Sequence, residues 1–184
     1  MREIRAATIR QKGGPFQVEN LRLDEPTPDE VLIRVVATGM CHTDMVARDQ
    51  FYDVPMPIVL GHEGAGVVEQ VGSSVKKIAV GDHVVLTYMW CGHCKPCLRG
   101  DLTYCENFYP LNFGGAREDG STSTYEKEDR TPGSKGRIHD HFFGQSSFGT
   151  FALAHERNVI KVPKTPPWNC WARWAAASRR ARAP

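Results

Sequence analysis

Cys41 and His62 offer a thiolate and an imidazole, the mixed sulfur and nitrogen donors that catalytic zinc sites use. Such a site has three protein ligands and one open position, so this pair leaves a third ligand to be found. A second set is complete in itself. Cys91-x-x-Cys94-x-x-Cys97 followed by Cys105 supplies four thiolates within fifteen residues, a closed tetrahedral set that suits structural zinc. Gly92 and Gly100 let the chain turn tightly around an ion, and Lys95 and Arg99 offset the thiolate charge. The competing reading, four unligated buried cysteines, does not account for their spacing. His93 sits between ligands and is expected to point to solvent, while His83 belongs to a strand. Gly64-Ala65-Gly66 imitates part of a dinucleotide fingerprint, but the third glycine is missing and the Val67-Val68-Glu69 that follows reads as strand.

These residues must be carried by short strands. Apolar alternation and β-branched residues predict strands over Ile4–Ile9, Glu30–Ala37, Gly66–Val71, His83–Thr87, Thr150–Ala154 and Val159–Val162. Turn signals separate them at Gly13-Gly14-Pro15, Pro26-Thr27-Pro28, Gly72 and Gly81-Asp82. Many short strands with turns between them predict a β-barrel. One short helix is expected over His42–Asp49, opening just after Cys41. Residues 112–147 are rich in Gly, Ser, Thr and charge without periodicity. They read as a long surface excursion that rejoins the barrel near Phe148.

The chain has 184 residues, enough for one domain with a sizeable core. Its hydrophobic content of 41 % and charged content of 24 % are those of a soluble globular protein. No apolar run is long enough to span a bilayer. Met1-Arg2-Glu3-Ile4-Arg5 lacks the apolar core of a signal peptide. A cytoplasmic location follows, and there six cysteines read as metal ligands or free thiols. The net charge of +2 includes four arginines and no acid in residues 165–184, so the remainder stands at −2 (+2 less 4). That balance offers no surface for nucleic acid.

Gly61-His62-Glu63-x-x-Gly66, then Gly72 and Val75, together with Cys41-His42-Thr43-Asp44 and the four-cysteine lobe, resemble the zinc-containing medium-chain alcohol dehydrogenases in order and spacing. The resemblance covers residues 1–164 and implies the catalytic GroES-like barrel of that family, mainly β with short helices. Asp140-His141-Phe142-Phe143-Gly144-Gln145-Ser146-Ser147-Phe148 resembles the aryl-alcohol (benzyl alcohol) branch. The resemblance makes Cys41 and His62 ligands of a catalytic zinc, where the metal would lower the pKa of an alcohol. It makes Asp44 the acceptor for the second N–H of His62, with a solvated helix acid as the competing reading. Thr43 would take the proton of the alcohol, against a competing role as helix cap. Glu63 would lie near the metal and ligate it transiently, or be a plain acid at a strand end. His42 matches a position that contacts the cofactor pyrophosphate. Tyr52 and Tyr88 match positions lining the substrate pocket, with core packing as the alternative, and two aromatic walls would favour a flat aromatic alcohol. Val46 stands where many relatives end a proton relay in histidine, so a relay here must end in solvent or elsewhere.

Members of the family carry a second, Rossmann-type domain that binds NAD, and a cysteine at the domain junction completes the catalytic zinc site. No Gly-x-Gly-x-x-Gly unit occurs in these 184 residues. Cys170 is the one in-frame candidate for the third ligand, and its surroundings do not match. Residues 165–184 read as a frameshifted tail. Displaced by one base, the codons from Trp168 to Ala172 must encode Glu-Leu-Leu-Gly, and those beyond permit the Gly-Cys-Gly of the junction. Coding DNA that does not continue into a Rossmann-type sequence in that frame contradicts this reading.

The expectation is thus part of an alcohol dehydrogenase. Its parent would convert a primary, aromatic alcohol and its aldehyde with NAD as a homo-oligomer. The chain alone would be inactive, with zinc held tightly at the four cysteines and weakly at the catalytic site. The alternatives are a glutathione-dependent formaldehyde dehydrogenase and a zinc-binding GroES-like module without chemistry.

Overall fold

The computed structural model describes residues 1–127 and 136–165. Two five-stranded sheets carry the fold. The first has the order β4-β1-β2-β7-β8, from β1 (Arg2–Ile9), β2 (Gln17–Leu23), β4 (Ile58–Val59), β7 (Thr124–Glu126) and β8 (Arg137–Ile138). The second has the order β10-β6-β5-β3-β9, from β3 (Glu30–Thr38), β5 (Gly64–Val71), β6 (His83–Leu86), β9 (Phe151–His155) and β10 (Val159–Val162). All ladders are antiparallel.

The alternation predicted for β1 sets its pleat. Ile4, Ala6 and Thr8 are buried, while Glu3 and Arg5 face solvent. A register of Arg2↔Leu23 through Thr8↔Gln17 places Leu21 and Leu23 on the same inner face. There they meet Leu32 and Leu153 of the second sheet, with Val59 and Ile138, so one apolar layer lies between the sheets. This is the expected barrel. The β3–β5 ladder is irregular between Val35 and Ala37. Bulges of this kind bend a strand and re-aim its end, here where β3 leads towards Cys41.

The six predicted strands are present within two residues at each end, and α1 spans His42–Arg48 with Asp49 as its C-cap. The sequence reading missed β2, β4, β7 and β8. Val18 in β2 is 63 % exposed, which blurs its alternation, and β4 and β8 have two residues each.

The expected surface excursion over 112–147 is corrected by the burial pattern. Asn112, Phe113, Thr122, Ser123, Thr124 and Tyr125 are buried, as are Ile138, Asp140 and the whole run His141–Ser147. Two strands of the first sheet come from this stretch. Its polar residues misled because they are satisfied internally: Asp140 accepts from the Ser123 backbone N–H and hydroxyl at 2.9 and 2.6 Å. The expected frameshifted tail over 165–184, Cys170 included, lies outside the described residues beyond Thr165. No helix among the described residues is long and apolar enough to cross a membrane.

Candidate metal centres

Helix α1 begins at Cys41 through an exchange of contacts. Cys41 is its N-cap, and Asp44 in the first turn reaches back to accept from the Cys41 backbone N–H at 3.0 Å, the reciprocal pattern of a capping box. The cap is therefore Cys41, and the capping role considered for Thr43 is not observed. Asp44 is fully buried, so it is not a solvated helix acid. Its other oxygen accepts from the Gly61 N–H at 3.1 Å and lies 3.0 Å from Nδ1 of His62. One carboxylate thus ties the start of α1 to the Gly61–His62 turn and selects the His62 tautomer with its proton on Nδ1. That leaves Nε2 as the ring nitrogen with donor character for a metal.

The sulfur of Cys41, a ring nitrogen of His62 and a carboxylate oxygen of Glu63 all lie within 4.8 Å of one another. Thiolate, imidazole and carboxylate are the donors of catalytic zinc, so the residues present fit that ion. The backbone leaves room for Glu63: a Cβ on Gly39 would fall 2.1 Å from Glu63 Oε2. Gly39 N–H also donates to the Glu63 carbonyl at 3.1 Å. Thr43 Oγ1 lies 3.5 Å from Cys41 Sγ. His42 is exposed at the first position of α1, and Val46 is half-buried.

The His62 ring lies in an aromatic nest. Phe143 stacks on it at 4.7 Å between centroids and 26°, and Phe142 meets it edge-on at 5.6 Å. Phe143 contacts Phe113 at 5.1 Å and Phe108 at 6.3 Å. The predicted pocket tyrosines join from there: Tyr52 packs on Phe113 at 5.0 Å and Tyr88 on Phe108 at 5.7 Å. Phe113 and Phe108 thus link both tyrosines to Phe143. Tyr52 is 42 % exposed and marks the outer end of this aromatic series.

The four-cysteine set assembles as expected. Cys91, Cys94, Cys97 and Cys105 are buried, with their sulfurs within 4.8 Å of one another. Cys91 and Cys97 sulfurs are 3.9 Å apart. That is close to the edge, about 3.8 Å, of a tetrahedron with zinc–sulfur arms of about 2.3 Å. Backbone N–H groups of Cys94 and Cys91 donate to the sulfurs of Cys91 and Cys105 at 3.4 and 3.3 Å. Burial pushes the Cys97 thiol up to about 12. Against the same burial, N–H groups of His93 and Cys94 draw Cys91 down to about 6. Four sulfurs this close need a cation before all can ionise, and the donor set is that of structural zinc. Gly92 takes φ +81° at the turn between Cys91 and Cys94, a conformation that favours glycine. His93 is exposed, as expected. Arg157 went unread in the sequence: its guanidinium donates to the Trp90 and Cys91 carbonyls at 2.9 and 3.0 Å, placing a positive charge on the lobe.

Sequence reasoning also missed Gln145, for which the unusual Asp140–Phe148 run was the only signal. Its Nε2 donates to the His62 and Thr87 carbonyls at 2.9 and 3.2 Å, and its Oε1 accepts from Gly64 N–H at 3.0 Å. It clamps the backbone on both sides of Glu63.

The family model described as the alcohol dehydrogenase GroES-like domain matches residues 27–164. The chain belongs to this family. The chain is 51 % identical over 158 residues to the geraniol dehydrogenase of Castellaniella defragrans, covering 85 % of this chain and 40 % of that protein. The structure of the benzyl alcohol dehydrogenase of Acinetobacter calcoaceticus matches with a TM-score of 0.86 and 44 % identity over 95 % of this chain and 45 % of that one. An alcohol dehydrogenase zinc-binding domain protein from Burkholderia ambifaria matches with a TM-score of 0.84 and 57 % identity over 90 % of this chain and 43 % of that one. This GroES-like domain therefore spans less than half the length of those relatives.

Proposed function

We propose that this chain is the metal-holding, alcohol-binding part of an NAD-dependent dehydrogenase that interconverts a primary alcohol and its aldehyde, the alcohol carrying an aromatic or allylic body. The observation that carries the reading is the convergence of Cys41, His62 and Glu63 on one point, with Asp44 fixing the imidazole. A non-catalytic module has no use for that arrangement. The substrate class is supported by the aromatic series from Phe143 to Tyr52 and Tyr88. It is also supported by relatives named for geraniol and benzyl alcohol, in which an unsaturated carbon adjoins the carbinol.

Cys41, His62 and Glu63 would hold the ion. When bound, zinc supplies a Lewis acid that makes a hydroxyl easier to deprotonate. Asp44 keeps Nδ1 of His62 protonated and the ring fixed. Thr43, beside Cys41, accepts the hydroxyl proton and passes it on. Val46 cannot relay it, so the proton leaves to solvent near exposed His42. The aromatic rings exclude water and align a flat substrate. Hydride transfer needs a nicotinamide beside the alcohol, and these 184 residues contain no dinucleotide fingerprint. The chain alone is therefore expected to form no NADH. The described cysteines are free thiols, which suits a reducing cytoplasm.

The test loads the chain with Co(II) and titrates it with benzyl alcohol, geraniol and ethanol. The reading expects the two unsaturated alcohols to perturb the spectrum of the Cys41 site at lower concentration than ethanol. An ethanol response as strong as theirs contradicts the substrate class.

A further inference from the structure

The segment that carries Phe143 is held in an unusual backbone conformation. His141, Phe143 and Ser146 have φ of 57°, 52° and 50°, and Gly144 between them has 67°. Non-glycine residues adopt this region at a cost, and several together persist only where the surroundings over-determine them. The distal half of the segment is fixed by direct zippering onto Val59–Gly61, the stretch that leads into His62. Ser147 N–H donates to the Gly61 carbonyl at 2.9 Å and Phe148 N–H to Leu60 at 3.1 Å. Ser146 Oγ donates to the Val59 carbonyl at 2.6 Å.

The proximal half is fixed by charge. Nδ1 of His141 lies 2.6 Å from Asp140 Oδ1, and its Nε2 lies 3.0 Å from Glu30 Oε1. Arg117 forks onto both oxygens of Glu30 at 2.8 and 3.1 Å. His141, Asp140 and Glu30 are buried. The four groups come from the start of β3, the turn at 117–121 and the segment itself. An apolar side chain at any of these positions would pack in such an interior at less desolvation cost. The network's specific product is the orientation of a left-handed segment.

We propose that Arg117, Glu30, His141 and Asp140 form a positioning unit that holds His141 left-handed and thereby lays Phe143 on the His62 ring. Asp44 fixes that ring from the Nδ1 edge, and Phe143 fixes its face. The four residues act through Phe143 on the imidazole. The consequence for metal binding rests on the reading of His62 as a ligand, whereas the placement of the ring does not.

The test is NMR of the full 184-residue chain labelled at histidine ring carbons, with zinc supplied for the four-cysteine lobe. A proton over the face of Phe143 is shifted by its ring current, so the His62 signal reports the stack directly, and Phe143→Leu gives the unstacked position. His141→Ala is expected to move the His62 signal to that unstacked position. His141→Gly, which takes a positive φ without cost, is expected to return it part of the way to the wild-type position. Glu30→Gln is expected to move it in the same direction as His141→Ala. In parallel samples with Co(II) in place of zinc, the spectrum of the four-cysteine lobe stays unchanged in every variant. Co(II) affinity at the Cys41 site should fall about tenfold in His141→Ala, the lower end of the effect of lost supporting contacts, and less in His141→Gly. A His62 signal that stays at its wild-type position in His141→Ala and Glu30→Gln overturns the proposal. So does equal displacement by His141→Ala and His141→Gly, or global unfolding of both with loss of the lobe spectrum, which assigns the network to general stability. If the NMR result holds while Co(II) fails to bind at Cys41, the positioning unit stands and the metal reading fails.

Discussion

Asp44 Oδ1 lies 3.0 Å from Nδ1 of His62, and both side chains are buried to within 2 %. The carboxylate thereby links two stretches that the chain brings together from 18 positions apart. It holds the Cys41 N–H with its second oxygen, so both metal-site residues depend on it.

Asp44→Ala removes the acceptor of three hydrogen bonds and leaves the Cys41 and Gly61 N–H groups without it. The expected loss is about 2–6 kcal/mol of folding stability, at about 1–3 kcal/mol for each buried N–H left unsatisfied. Affinity for Co(II) at the Cys41 site should fall about 10–100-fold. Asp44→Asn keeps one acceptor oxygen but turns its NH2 onto an N–H donor on the other side, so it should recover only part of both losses. Urea titration and Co(II) titration read the two effects separately.

Gly39→Ala introduces a methyl group where Glu63 Oε2 now lies. The carboxylate must swing away, so Co(II) affinity at the Cys41 site should drop while the four-cysteine lobe keeps its spectrum. An unchanged affinity would show that Glu63 contributes nothing to metal binding.

The lobe should hold one zinc tightly and the Cys41 site a second one weakly. Dialysis against a mild chelator is expected to leave one zinc per chain, measured by colorimetric release on thiol modification. Cys97→Ser should lower that value and expose the lobe to proteolysis. Two zincs surviving dialysis would contradict the assignment of a weak second site.

The buried His141 sets a pH dependence. Burial alone would lower its pKa, but Asp140 and Glu30 push it up to about 9. A histidine raised in the folded state contributes stability that is full below about 6.5 and is lost as pH rises through about 9. For Glu30, burial opposes ionisation, yet His141 and Arg117 hold its carboxyl well below the usual range. Its contribution is present above the usual carboxylate range and is lost as pH falls. The urea midpoint should therefore decline from pH 6.5 to 9, a range in which zinc thiolates stay bound. That decline should be shallower in His141→Gln.

The legible parts of the sequence were those whose chemistry is local. Cys91, Cys94 and Cys97 announce their site by spacing, and the alternation in β1 and β3 announces strands. Cys41 and His62 were legible through the company of Thr43, Asp44 and the surrounding glycines. The stretch from Asn112 to Ser147 was misread for a physical reason. Left-handed residues at His141, Phe143 and Ser146 break any side-chain period, so buried positions follow no repeat. Glu30 meets Arg117 across 87 positions and His141 across 111, and no local pattern couples residues so far apart. Gln145 resembled loop composition because a side chain that satisfies three backbone groups looks the same in sequence as one facing water.

If Cys41 and His62 bind one metal ion, Co(II) added to the chain after zinc has filled the four-cysteine lobe should give a thiolate-to-cobalt charge-transfer band. The band should saturate with one further equivalent bound and disappear in both Cys41→Ser and His62→Ala. No band at saturating Co(II), or a band that survives Cys41→Ser, would contradict it.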